Sequence, residues 1–76
     1  MALSVTHKKF GLKIQELRKT KKLTQEDLAD LISVDRSYMG FVERGERNPT
    51  LDKIIKIARA LNTDPPADFR NYSFNL

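Results

Sequence analysis

Residues 23–45 read LTQEDLADLISVDRSYMGFVERG, and this stretch decides the fold. Thr24 is a good helix N-cap, and Asp27 places an acid three residues later, in the first helical turn. Asp35 offers a second N-cap, and Gly45 suits the left-handed residue that ends a helix. The stretch therefore predicts two short helices joined by only a few residues, 24–32 and 35–44. So tight a connection fits a helix-turn-helix unit, although spacing alone fits a generic helical hairpin about equally well.

Three further helices are predicted around this unit. Before it, apolar residues at helical spacing predict a helix over about 6–21: Phe10, Ile14 and Leu17. After it, Thr50 caps a helix whose expected core face is Leu51, Ile54, Ile55, Ala58 and Leu61. A last short helix is expected at about 66–70. The sequence thus predicts an all-α fold of five helices in a single domain, 1–76.

Composition excludes several classes of protein. The chain has 76 residues, no cysteine and one histidine, His7. Disulfide frameworks, thiolate zinc sites and cysteine nucleophiles are therefore excluded. The sequence shows no nucleophile with a paired base, so we expect no enzyme activity, no metal, no cofactor and no small-molecule ligand. The apolar start is too short for a signal peptide or a membrane span, which favours the cytoplasm.

Basic residues are concentrated near the amino end. Lys and Arg number 14 against 10 Asp and Glu, for a net charge of +4. Residues 1–22 hold seven of the bases and a single acid, Glu16. Charge alone favours a solvated helix face here over a phosphate-binding patch.

Three segments carry a family resemblance: LTQEDLA at 23–29, VDRSYM at 34–39 and VERGERNPTL at 42–51. Together with Arg18 before them and IARAL at 57–61 after them, they resemble the Cro and phage-repressor type of helix-turn-helix family. Within this family, DRSY at 35–38 and the basic loop after Gly45 are most similar to the controller proteins of restriction–modification systems. The resemblance implies a lambda-repressor-like DNA-binding domain whose second short helix lies in the major groove.

Ser33 departs from this family, which often has glycine at the turn between the two helices. A non-glycine residue in the left-handed conformation costs about 1–2 kcal/mol. Either the turn carries that strain or it is wider than in the family.

The second short helix is the predicted reader of DNA bases. A helical wheel turns Met39 and Val42 towards the core and leaves a polar and aromatic rim on the other side. We expect base contacts from this rim: Arg36, Ser37, Tyr38, Gly40 and Phe41. The family resemblance supports the first two.

Arg36, Tyr38 and Gly40 each have an expected role and an alternative. Ser37 is expected to be a weak specifier, and for Phe41 the helical wheel disfavours a contact with the domain's own core. Arg36 can donate two hydrogen bonds to guanine, worth about 1–3 kcal/mol of discrimination, or can form a surface ion pair with a nearby acid. Tyr38 reaches a phosphate or a base, or packs against the preceding helix. Phe41 meets a thymine methyl group. Gly40 lets the backbone approach the DNA closely, or leaves this position without a base contact.

Phosphate contacts are expected around the same helix. The resemblance implies that Gln25, at the start of the first short helix, binds the DNA backbone together with the N–H groups of that terminus. The other expected phosphate contacts are Lys22, Thr24, Arg44, Arg47 and Asn48. The resemblance also implies a buried ion pair of Arg18 with Glu43 that fixes how the second short helix is presented.

Apolar residues outside the core predict a second copy of the chain. Ile57 falls off the expected core face of its helix, and the tail over 63–76 is unusually apolar. We expect a homodimer interface from Ile57, Phe69, Tyr72, Phe74 and Leu76. The alternative is that the tail covers its own small core.

The sequence thus predicts a homodimeric transcription regulator that binds double-stranded DNA at a palindromic operator, with RNA polymerase as a further partner. Dimers of this motif read two half-sites about 34 Å apart. The alternative is an antitoxin or adaptor that uses the fold to hold a protein partner.

Overall fold

The structure, a computed structural model, describes residues 5–62. They form four helices: α1 (Val5–Thr20), α2 (Gln25–Leu31), α3 (Arg36–Glu43) and α4 (Leu51–Ala60). Every regular element among these residues is helical, which confirms the all-α prediction. The fifth helix, predicted at 66–70, lies outside the described residues.

Local chemistry explains where α2 begins. The Thr24 hydroxyl accepts a hydrogen bond from the Asp27 N–H (3.0 Å), and the Asp27 carboxylate accepts one from the Thr24 N–H (2.9 Å). This reciprocal pair is a capping box. The bond from the Thr24 backbone holds the pKa of the Asp27 carboxyl below its ordinary value. The cap therefore stabilises the fold above the ordinary carboxyl pKa, and this contribution is lost as the pH falls through the lowered one.

Asp35 and Thr50 precede α3 and α4 as predicted, but they act differently. The Thr50 hydroxyl accepts a hydrogen bond from the Lys53 N–H (3.3 Å), whereas the Asp35 side chain makes no capping hydrogen bond. The start of α3 is therefore set more by the packing of the helix against the core than by a side-chain cap.

The turn between α2 and α3 is tight and passes through a left-handed residue. Ser33 has φ = 60°. Its N–H donates to the Asp30 carbonyl (3.2 Å), and the Val34 N–H donates to the Ala29 carbonyl (2.9 Å). This is a Schellman motif, whose left-handed position favours glycine. Of the two alternatives for this turn, a strained residue or a wider turn, the structure therefore adopts the strained left-handed Ser33.

The same motif ends α3, here with the favoured residue. Gly45 has φ = 76°, and its N–H donates to the Val42 carbonyl (3.0 Å). The Glu46 N–H donates to the Phe41 carbonyl (2.8 Å). The predicted glycine cap is confirmed.

One apolar core holds all four helices together. Its buried side chains come from every helix and from the residues directly after α2 and α4: Phe10, Ile14, Leu28, Ala29, Ile32, Met39, Val42, Ile54, Ile57, Ala58 and Leu61. Helices α1 and α3 cross very closely at Gly11, where a Cβ atom would overlap the backbone carbonyls of Val42 and Glu43. Sequence analysis did not single out Gly11.

The prediction that Ile57 lies outside the core is wrong. Ile57 is fully buried, whereas Leu51, assigned to the core face, is 49% exposed. The two apolar stripes on α4 share Ile54, Ala58 and Leu61, so the spacing fits either. The packing of α4 within the domain selects the stripe that includes Ile57, which makes this residue unavailable to a partner. The other four predicted interface residues lie outside the described residues.

We expect Ser33→Gly to raise the free energy of unfolding by about 1 kcal/mol, because glycine adopts the left-handed conformation without the Cβ penalty. Urea unfolding followed by circular dichroism measures the change. Ser33→Ala is the matched control, since it removes the hydroxyl and keeps the Cβ. An equal gain in both variants would show that backbone strain at this turn is not the cause.

Candidate nucleic-acid interface

Helix α3 presents one side to solvent and buries the other. Met39 and Val42 are fully buried, as the helical wheel predicts. The opposite side carries side chains that no part of the described core covers: Arg36, Ser37, Phe41 and Arg44 are exposed, and Tyr38 is half-buried. We call this set the α3 rim. It brings together four of the five predicted base-reading residues and one predicted phosphate contact.

Arginine side chains lie over both aromatic rings of the α3 rim. The Arg44 Cζ atom is 5.1 Å from the centroid of the Phe41 ring. The Arg47 Cζ atom is 5.6 Å from the centroid of the Tyr38 ring. Both distances suit a cation–π interaction, in which the ring face attracts the guanidinium. The rim is therefore positively charged and partly ordered.

Tyr38 carries a neutral phenol on this surface. Its burial raises the pKa of the hydroxyl above the ordinary value, and the charge of Arg47 acts in the opposite direction. The hydroxyl therefore stays protonated at neutral pH and can donate a hydrogen bond to an acceptor on DNA.

A buried ion pair ties α3 to α1. Arg18 Nε donates to Glu43 Oε2 (2.7 Å), and Arg18 Nη2 donates to Glu43 Oε1 (3.0 Å). The remaining arm, Nη1, donates to the Leu23 carbonyl (2.8 Å). Both side chains are almost fully enclosed, at 8% and 3% exposed. The two predicted partners thus meet in bidentate geometry, which fixes both distance and orientation.

Gln25 joins the same cluster from the first residue of α2. Its Nε2 donates to Glu43 Oε1 (3.1 Å). Sequence analysis assigned Gln25 to phosphate binding and missed this contact, which no local pattern reveals because the two residues are 18 positions apart. A primary amide has two N–H groups, so the second one can still bind an acceptor outside the domain.

The other predicted phosphate contacts, besides Gln25 and Arg44, are all exposed: Lys22, Thr24, Arg47 and Asn48. The Thr24 oxygen is already an acceptor in the capping box, and Arg44 Nε donates to Glu46 Oε1 (3.1 Å). Lys22 has φ = 59°, so the turn that follows α1 also contains a left-handed residue.

Gly40 does not lie on the surface. It is buried, and a Cβ atom there would lie 3.0 Å from Arg44 Nη1 and 3.7 Å from Gln25 Oε1. Two side chains thus cover it, which does not fit the predicted close approach of its backbone to DNA. The helical wheel placed Gly40 at the edge of the outer face but could not show that neighbours cover it.

Residues 5–62 contain no group of three or more His, Cys, Asp or Glu side chains arranged to hold a metal ion. None of the helices described is both long and apolar enough to cross a membrane.

Two short helices joined by a tight left-handed turn, the second with a polar, basic and aromatic outer face, define a helix-turn-helix domain. The helix-turn-helix family model HTH_3 matches residues 14–67, and the chain belongs to this family. The resemblance drawn from the sequence is thereby confirmed.

Control proteins are among the relatives by sequence. Control protein C.SmaI of Serratia marcescens is 45% identical over 53 residues, which cover 70% of this chain and 63% of the relative. The matched part is thus just under two thirds of that protein. Control protein C.BamHI of Bacillus amyloliquefaciens is 42% identical over 57 residues, covering 74% of this chain and 70% of the relative.

Solved structures of controller proteins share the fold. The restriction–modification controller protein C.AhdI of Aeromonas hydrophila is 48% identical, with a TM-score of 0.83 over 87% of this chain and all of that one. The controller protein C.Esp1396I, solved as a tetramer in complex with its natural 35 base-pair operator, is 32% identical. Its TM-score is 0.79 over 90% of each chain.

We expect Glu43→Gln to lower the free energy of unfolding by about 3–5 kcal/mol, because it leaves the Arg18 guanidinium buried without a counter-charge. Arg18→Met should lower the free energy of unfolding by a similar amount, because it leaves the Glu43 carboxylate buried without a counter-charge. Urea unfolding measures both.

The double variant Arg18→Met with Glu43→Gln tests the cause. It buries no unpaired charge, so its loss should be well below the sum of the two single losses. Additive losses would contradict the assignment of the cost to an uncompensated charge.

Proposed function

We propose that the chain is a homodimeric transcription regulator that binds a palindromic DNA operator, and that it is the controller protein of a restriction–modification system. The observation that carries the proposal is the α3 rim, an exposed polar, basic and aromatic surface on a helix held firmly by a buried ion pair. The family membership and the similarity to controller proteins support it. C.Esp1396I was solved on its own operator, which supports DNA as the partner here.

Base recognition is assigned to the first turn of α3. Arg36 and Ser37 are exposed there, and Arg36 forms no ion pair with any residue in the described range 5–62. Its guanidinium is therefore available to donate two hydrogen bonds to guanine in the major groove. Ser37 can pair with more than one base edge, so it contributes less to discrimination. Tyr38 and Phe41 extend the contact surface along the helix.

Affinity is assigned to the charges around the rim. Lys22, Arg44 and Arg47 are exposed cations, and Asn48, also exposed, and Gln25, the first residue of α2, add neutral hydrogen-bond donors. Contacts of the three cations with phosphate release counterions, so binding should weaken steeply as the salt concentration rises. They hold the protein in register without reading sequence.

The homodimer is supported by a surface on α4 that differs from the predicted one. Leu51 is 49% exposed, and Ile55 is half-buried one helical turn later, on the same face. An apolar face of this kind suits a self-complementary two-fold contact. The participation of Phe69, Tyr72, Phe74 and Leu76 stays a prediction.

The proposed function also implies a cellular compartment and a further partner for this protein. A regulator of operator DNA acts in the cytoplasm, where the DNA of a restriction–modification locus is found. An activator in this class would contact RNA polymerase as well, and that contact stays a prediction.

The first experiment selects bound duplexes from a random pool and then measures affinity for each base at each position of the selected site. Arg36→Ala should reduce discrimination at one position in each half-site by about 1–3 kcal/mol. Arg59→Ala is the matched control, because it removes the same charge from an exposed position on α4.

The control variant Arg59→Ala should leave the base preference unchanged at every position of the selected site. If Arg36→Ala and Gln25→Ala both leave DNA binding unaltered, the proposed function is contradicted, and the antitoxin or adaptor alternative takes its place.

The second experiment tests the dimer. Leu51→Glu should convert the dimer to monomer in sedimentation analysis, because two like charges would be buried at the two-fold contact. The acid suits the first turn of α4, so the helix itself is not weakened. Leu12→Glu is the matched control, at a position on α1 that is 60% exposed. Equal behaviour of the two variants would remove Leu51 from the interface.

A further inference from the structure

Gly40 occupies an unusual place on α3. It lies one position before Phe41 of the exposed rim, yet it is buried. A Cβ atom at Gly40 would lie 3.0 Å from Arg44 Nη1, 3.8 Å from Arg44 Cζ and 3.7 Å from Gln25 Oε1. Gln25 would be in ordinary contact with that Cβ atom, whereas the Arg44 guanidinium lies closer than a Cβ atom normally allows.

Two more groups hold the same guanidinium. The Phe41 ring centroid lies 5.1 Å from Arg44 Cζ, and Glu46 Oε1 accepts a hydrogen bond from Arg44 Nε at 3.1 Å. The Arg44 side chain is nevertheless 55% exposed. Its four N–H groups other than Nε make no hydrogen bond to any residue from 5 to 62, so they can bind an outside acceptor.

Glycine at position 40 lowers the stability of α3. Glycine in a helix interior is less stable than alanine, because it loses more backbone freedom on folding. Gly40 has no positive φ and no close backbone neighbour that requires the absence of a Cβ. The nearest atom to a Cβ at this position is Arg44 Nη1, at the end of a long, flexible side chain that would have to shift slightly to admit the Cβ.

We propose that Gly40 is a positioning residue for DNA binding, because it leaves the space in which the Arg44 guanidinium is held on the α3 rim. The inference rests on the proposed function and adds to it a division of roles. Gly40 touches no DNA, and Arg44 offers its free N–H groups to an acceptor of the DNA from a place fixed before binding. An arginine that is already ordered loses less side-chain entropy on binding than a free one.

The first test measures DNA affinity and stability of Gly40→Ala in the full chain. Alanine should leave the stability equal or higher, since it is the better helix former. It should lower affinity for the selected duplex about threefold to tenfold, the range expected when one long side chain must be ordered on binding. A purely structural role for Gly40 predicts instead that stability and affinity fall together, and that result would overturn the proposal.

The second test repeats the substitution in an Arg44→Ala background. If Gly40 acts through Arg44, Gly40→Ala should have no further effect on affinity there. The same loss in both backgrounds would mean that Gly40 acts through its own backbone, which would overturn the proposal. The salt dependence of Arg44→Ala identifies the acceptor. A slope reduced by about 1 indicates phosphate, and a changed base preference indicates a base edge.

The third test needs no DNA, so it separates this inference from the proposed function. The heteronuclear ¹⁵N NOE of the Arg44 Nε–H group reports order of the guanidinium in the free protein. It should be high in the wild type and lower in Gly40→Ala and in Glu46→Gln, which weakens a second restraint and leaves α3 intact. Equal NOE values in all three proteins would overturn the proposal. If the wild type binds no duplex, the proposed function fails and this comparison alone decides the inference.

Discussion

The carboxylate of Glu43 is the point at which three parts of the molecule are joined. Arg18 reaches it from α1 with two nitrogens, and Gln25 reaches it from the start of α2. Arg18 also holds the Leu23 carbonyl between those two helices. Apolar packing in a domain this small allows helices to rotate slightly, whereas a bidentate ion pair sets a direction. The Arg18–Glu43 ion pair therefore sets the orientation of α3, and packing of Met39 and Val42 in the apolar core supports it.

A glycine accompanies this arrangement where α1 and α3 cross. The backbone of α1 at Gly11 approaches the carbonyls of Val42 and Glu43 so closely that a side chain would not fit. Arg18, on the same helix as Gly11, meets Glu43 inside the domain, away from solvent. The two helices are thus joined both by close backbone contact and by a buried ion pair.

Much of the fold was predictable because it depends on neighbours in sequence. The capping box at Thr24, the glycine cap at Gly45 and the inward turn of Met39 and Val42 all follow from local spacing. The Arg18 to Glu43 pair was predictable only through the family resemblance, because 25 positions separate the two residues.

The errors came from places where tertiary packing decides between equal local patterns. On α4 the spacing allows either Leu51 or Ile57 on the core face, and only the packing of the whole domain selects Ile57. At Gly40 the helical wheel gives the direction of the residue but not the side chains that lie across it. The hydrogen bond from Gln25 to Glu43 was missed for the same reason, because the two residues lie 18 positions apart in the sequence.

Gly45 also connects two distant parts of the chain. A Cβ atom there would lie 2.8 Å from the Cα atom of Lys8, so the end of α3 rests directly on the first turns of α1. The loop that carries Arg47 and Asn48 starts from this contact. Fraying of the beginning of α1 would release the loop, so the two segments belong to one cooperative unit of local unfolding. Their backbone amides should therefore exchange with solvent at related rates.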